Sequence, residues 1–141
     1  MRNLEYAHRQ GVVLMCGTDS GFAITPYGEW HTREMELFVK YLGMRPLDAI
    51  TCSTKHSAIA VDPLNVGTLT PGKWADVLVI DGDPLQDIRI LQDRARFRAV
   101  IQGGRLVDLT TPRPPVAKFA WERAMIMSQA ELTWDAVYGR H

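Results

Sequence analysis

The sequence predicts an α+β fold, and three observations carry that prediction. A short continuous apolar run near the start, Val12–Cys16, is followed by two stretches with helical periodicity. The middle of the chain then changes character and reads as short strands joined by glycine-rich turns. A proline-rich stretch, Thr110–Pro115, finally leads into one more helical segment.

Taken in order, Asn3–Gln10 reads as the end of an amphipathic helix closed by Gly11. Val12–Cys16 (VVLMC) suits a strand buried on both faces, as in a parallel sheet. It runs into a polar turn, Gly17-Thr18-Asp19-Ser20-Gly21, and then a loop over Phe22–His31 that contains Pro26 and Gly28. The next helix is expected from about Thr32 to Leu42. Met35, Phe38, Val39 and Leu42 share one face, Thr32 is placed to cap its start, and Gly43 stops it. Pro46 fits a first helical turn, so a second helix is expected over Leu47 to about Ile59. Beyond Asp62-Pro63, Thr68–Lys73 is turn-rich and Val77–Ile80 (VLVI) reads as another buried strand. Phe97–Ile101 and Arg105–Val107 flank Gln102-Gly103-Gly104. A Gly-Gly connection permits positive φ at both central positions, which predicts a hairpin. Val116–Tyr138 reads as a terminal helix whose apolar residues, Trp121 and Trp134 among them, spread over more than one face. The organisation expected is therefore 1–62, 63–109 and 110–141, the last being the proline-rich linker and terminal helix.

Composition narrows the classes of function. At 141 residues the chain can bury roughly two-thirds of its unfolded surface, enough for a core. The formal net charge is zero, which gives no reason to expect nucleic acid or an anionic membrane as partner. No apolar run approaches the roughly 18 residues that span a bilayer, and the polar start MRNLEYAHRQ has no signal-peptide core. Cys16 and Cys52 match no CxxC pattern; they read as reduced, partly buried thiols of a cytoplasmic protein, with a single disulfide as the alternative.

The residue that invites chemistry is Asp19. It stands just past the C-terminal end of the first expected strand, where parallel α/β sheets and (β/α)8 barrels gather their active-site groups. A carboxylate there can ligate a metal and take a proton from a bound water. On spacing alone Asp19 reads first as a turn or N-cap aspartate. His31, with Glu29, could meet a substrate's polar end, or could simply start a helix. Tyr27 and Trp30 could line a pocket or pack on the scaffold. His56 reads as a packed or surface helix residue, Asp76 and Asp81 as turn formers, and Lys73 as a solvated turn residue.

The order of these motifs resembles the amidohydrolase superfamily. Gly17-Thr18-Asp19-Ser20-Gly21 after an apolar strand is similar to the family's last barrel strand. Arg33-Glu34-Met35-Glu36-Leu37 and Gly43-Met44-Arg45-Pro46-Leu47-Asp48-Ala49-Ile50 look like the helices that follow it. Val66–Asp81 (VGTLTPGKWADVLVID) resembles the family's G-x-hydrophobic-x-x-G-K-x-A-D run into a small β-sandwich. Gly82-Asp83-Pro84-Leu85 and Val100–Val107 complete the match, which covers about residues 3–108. Within the superfamily the segment looks most like the imidazolonepropionase-like and prolidase-like branch.

The resemblance implies the last βα unit of a (β/α)8 barrel, then part of a small β-sandwich and a C-terminal helix. It implies hydrolysis of carbon–nitrogen bonds in small amides or dipeptides by metal-activated water, with a divalent metal, zinc first among candidates. Asp19 would touch both the metal and the proton in flight, and Ser20 and His31 would make weaker substrate contacts. The family's other ligands come from earlier strands. This sequence contains no His-x-His, and His8, His31, His56 and His141 are scattered. A catalytic zinc usually takes three protein ligands. The expectation is therefore a fragment or half of a split enzyme, inactive alone and completed by an N-terminal half. The alternative is a non-catalytic interaction or homo-oligomerisation module derived from such an enzyme.

Overall fold

The computed structural model describes residues 2–19 and 30–110; the loop residues 20–29 and the expected terminal helix lie outside the described residues. Within them the protein is a mixture of helices and one antiparallel sheet, in agreement with the α+β prediction.

Helix α1 spans Arg2–Arg9 and is closed by Gly11, whose φ of 79° lets its N–H reach the His8 carbonyl at 3.0 Å. Helix α2 spans Trp30–Leu42. It starts two residues before the expected Thr32, which lies inside its first turn rather than capping it; no proline or glycine at 30–32 opposes helix there. Its inward stripe, Met35, Phe38 and Leu42, is buried as the periodicity requires. Gly43, at φ 67°, ends it, and the chain turns so that Met44 is buried against it. Helix α3, Pro46–Thr51, has proline at its start as expected. The helical path continues to Ala60, but it widens into a π-turn over Cys52–His56 and then tightens to a 3-10 turn over Ser57–Ala60. The widening has a local cause. The Cys52 carbonyl accepts the Ser57 hydroxyl at 2.8 Å and the Cys16 N–H at 3.4 Å, and these bonds draw it out of the regular ladder.

The apolar run Val12–Cys16 departs from its expectation. It is extended, but it pairs with no strand among the described residues. Leu14 and Cys16 pack against the core, while Val12, Val13 and Met15 are 54%, 57% and 44% exposed. A strand is buried on both faces only if neighbours cover both, and here the helices cover one. Three bonds fasten that side: Cys16 N–H to Cys52, His56 Nδ1 to the Leu14 carbonyl at 3.0 Å, and the Ser57 hydroxyl to the Cys16 carbonyl at 3.3 Å. His56 is thus a packed residue, and its Nδ1 must carry the proton that a carbonyl accepts.

The sheet has the order β1-β2-β3, with β1 at Val77–Ile80, β2 at Phe97–Gln102 and β3 at Arg105–Leu106. β1 and β2 run antiparallel from Val77 opposite Ile101 to Ile80 opposite Phe97, with an irregularity between Val79 and Ile80. Gly103 and Gly104 both take positive φ, 55° and 79°, and make the predicted hairpin between β2 and β3. The expectation that Val77–Ile80 is buried fails at its centre, because β1 is an edge strand and Leu78 and Val79 are exposed. Asp76 does more than form a turn: its Oδ1 accepts the Gly103 N–H at 2.7 Å across the hairpin. Asp81 pairs with Arg98 on β2. Lys73 is not a solvated turn residue either. Its ammonium donates to the carbonyls of Pro63 and Val66 at 2.8 and 2.9 Å, and so ties the turn together.

After β1 a 3-10 turn over Ile88–Gln92 returns to α2 and inserts Ile88 and Leu91 into the same core as Met35, Phe38, Leu42, Ala49 and Cys52. Gln92 Nε2 donates to Glu36 on α2 at 2.7 Å, and Arg33 pairs with the same carboxylate.

The loop before β1 is fitted tightly at Gly67. With φ 88°, a Cβ there would stand 2.5 Å from the Ala58 Cβ. Left-handed strain and overpacking together predict that Gly67→Ala loses about 2–4 kcal/mol. Gly72→Ala, at φ 90° but facing open space, pays the backbone cost alone. Urea unfolding of the two variants should separate them in that order.

Candidate functional site

The end of the extended segment gathers the groups that could do chemistry. Asp19 is exposed at its C-terminal end, where the sequence placed it. Its φ of 50° makes it the one described non-glycine residue in the left-handed region, a conformation that an aspartate tolerates better than most side chains. Immediately before it, the Thr18 hydroxyl lies 3.4 Å from His31 Nδ1. His31 therefore sits beside the Asp19 turn, in the first turn of α2. Trp30 begins that helix rather than lining a loop. Ser20, Tyr27 and Glu29 lie outside the described residues.

The structure adds a residue that the sequence reading passed over. Glu34 lies on α2 one turn after His31 and four residues before the buried Phe38, so its carboxyl is carried toward the core. Burial raises its pKa above the ordinary carboxylate value, and the backbone N–H of Gly17 offsets part of that rise. Its Oε2 is buried with no hydrogen-bond partner. The signal was available in the sequence: an acidic residue stands at i−4 from an inward phenylalanine.

The carboxylate is felt by both thiols. Cys16 is pushed up to about 12, first by burial and then by the negative charge of Glu34, with Ser53 opposing. Cys52 is raised by burial first, then by Asp48 and Glu34. Both cysteines are free thiols, as the sequence suggested. Among the described residues no three His, Cys, Asp or Glu side chains come together as a metal-binding group. Among the described residues the donors around Asp19 are thus too few for the three-ligand catalytic zinc site. None of the described helices is long and apolar enough to cross a membrane.

With this geometry in view, the match to known proteins is decisive at the level of family. The model of the amidohydrolase family matches residues 1–107. The chain belongs to the amidohydrolase family. Ochratoxinase from Aspergillus niger is 33% identical to it over 102 residues, which are 71% of this chain and 20% of that protein. The crystal structure of A. niger ochratoxinase superposes on 72% of this chain with a TM-score of 0.64. A Xaa-Pro dipeptidase with methionine bound in its active site is 28% identical, with a TM-score of 0.66 over 76% of this chain and 25% of its own. Molinate hydrolase is 29% identical, with a TM-score of 0.68 over 84% of this chain and 30% of its own. This amidohydrolase chain therefore spans about a fifth of the length of the ochratoxinase that it matches.

Two outcomes follow from the electrostatics. Glu34 has a folded pKa above its unfolded value, so ionising it costs more in the fold than out of it. Stability is full below the ordinary carboxylate pKa of 4.5 and falls as pH rises through the folded pKa. Glu34→Gln removes that loss. Its melting temperature should match the wild type in mild acid and exceed it at neutral pH in thermal scans across the range. The raised thiols predict a second result. Native Cys16 and Cys52 should alkylate far more slowly than an unfolded thiol at about pH 8, and both should label rapidly in denaturant, as read by mass spectrometry.

Proposed function

We propose that this chain is the part of a metal-dependent amidohydrolase that supplies the strand-end aspartate for hydrolysis of a carbon–nitrogen bond in a small amide or dipeptide. One observation carries the reading: Asp19 is exposed at the C-terminal end of an extended apolar segment whose outward residues, Val12, Val13 and Met15, are exposed as well. In this reading residues 1–62 are the last βα portion of a barrel, 63–109 part of a small β-sandwich, and 110–141 a linker and terminal helix. The prolidase-like branch is the more favoured, since a Xaa-Pro dipeptidase is among the structural relatives.

Asp19 has the chemistry for one task. Its carboxylate can accept a proton from the attacking water and return it to the departing amine, provided the other groups stand around it. Ser20 and His31 would contact the substrate beside it. The divalent metal, with zinc the first candidate, does not fit the described residues alone, so its remaining ligands must come from elsewhere. The chain by itself is then inactive.

The test is complementation. The chain is mixed with an N-terminal amidohydrolase segment carrying His-x-His and the other ligands, and dipeptide or amide hydrolysis is followed with and without zinc. Activity should appear only in the mixture, and Asp19→Asn should lower it by about 100-fold or more. Turnover by the chain alone, or full activity with Asp19→Asn, would sink the proposal.

The exposed Val12, Val13 and Met15 favour a second reading, an association module without catalysis. In that case Asp19→Asn would leave complex formation intact, and no mixture would turn over substrate.

A further inference from the structure

We infer that Cys16 and Cys52 form a disulfide site, at which a small organic disulfide closes a covalent staple between the extended segment and the π-turn that follows α3. The Cys16 N–H donates to the Cys52 carbonyl at 3.4 Å. The Ser57 hydroxyl sits between the two residues, 2.8 Å from the Cys52 carbonyl and 3.3 Å from that of Cys16. A direct backbone bond keeps two Cα atoms no farther apart than the roughly 4.4–6.8 Å that a disulfide spans. Direction agrees with distance. Cys52 belongs to the buried cluster and Cys16 packs against it, so both side chains enter one apolar space. Burial and then Glu34 raise the Cys16 pKa, and Cys52 adds to the rise, as a neighbouring thiol does.

Buried cysteines often pack as small hydrophobes and nothing more. What sets this pair apart is that the fold brings the only two cysteines of the chain into backbone contact from either side of α2. The chemistry balances in two exchanges. The thiolate of Cys16, the less buried of the two, attacks one sulfur of a disulfide R–S–S–R and releases R–S⁻, leaving a mixed disulfide. The Cys52 thiolate then attacks the Cys16 sulfur and releases the second R–S⁻. Two protein thiols lose two protons and two electrons, and R–S–S–R leaves as two R–SH. The raised thiol pKa values slow both steps at neutral pH and set the rate rather than the equilibrium. The product anchors the segment that ends at Asp19 by a covalent bond where the reduced chain has a long backbone hydrogen bond.

The test uses the full chain with oxidised and reduced glutathione as the redox pair, in buffer and in urea. Samples are brought to equilibrium from the reduced and from the oxidised side, quenched in acid and mapped by peptide mass spectrometry. With two cysteines in the sequence, an intramolecular product joins Cys16 to Cys52. A site already shaped for the bond should give an equilibrium constant at least about tenfold larger in the native chain than in the unfolded one. The oxidised chain should correspondingly melt roughly 5–15 °C above the reduced one. A constant no larger than in urea, a lower melting temperature on oxidation, or native products limited to glutathione adducts and intermolecular dimers would each overturn the inference. The measurement needs no substitution, so it does not hang on a variant folding, and no metal or substrate, so it stands apart from the role of Asp19.

Discussion

The buried stripe of α2 is the contact on which the rest of this structure depends. Met35, Phe38 and Leu42 receive the extended segment through Leu14 and Cys16, the following helix through Ala49 and Cys52, and the distant turn through Ile88 and Leu91. Segments far apart in sequence share one small apolar cluster. Removing any large member would strand the others, since interiors are close-packed and relax only partly around a void. The polar bonds are arranged around this cluster rather than inside it: Arg33 and Gln92 meet at Glu36, and His56 and Ser57 take the carbonyls of the extended run.

That arrangement leaves the first segment supported from one side. Its inward residues and three of its backbone groups are satisfied by helices, while its outward residues are about half exposed. A similar asymmetry marks β1, an edge strand with Leu78 and Val79 exposed. Single exposed apolar residues are ordinary; a run of them on an extended segment is less common.

Local signals in the sequence were legible where chemistry forces the backbone. Gly43 ended α2, Pro46 opened α3, and Gly103-Gly104 made the hairpin, each because few residues tolerate the conformation required. The stripe of α2 was legible for a different reason, since burial repeats with the helical period. The side-chain bonds were not legible. Nothing in the order of residues tells that Lys73 will bind the carbonyls of Pro63 and Val66, or that Asp76 will take the Gly103 N–H. Those partners are chosen by how loops fold back, which no local pattern records.

By itself, then, the sequence determined the family, the helices and hairpin, and Asp19 as the residue to watch, because ordered motifs and backbone-forcing residues are local features. Only the tertiary structure decided the state of the first segment and the surroundings of Asp19. Val12–Cys16 has the composition of a strand buried on both faces, yet burial is a property of neighbours, and the described residues supply them on one face alone. The sequence marks Glu34 only by its place four residues before the inward Phe38. Its half-burial, with Oε2 out of reach of solvent, comes from how α2 packs on the neighbouring segments, and that packing raises its pKa.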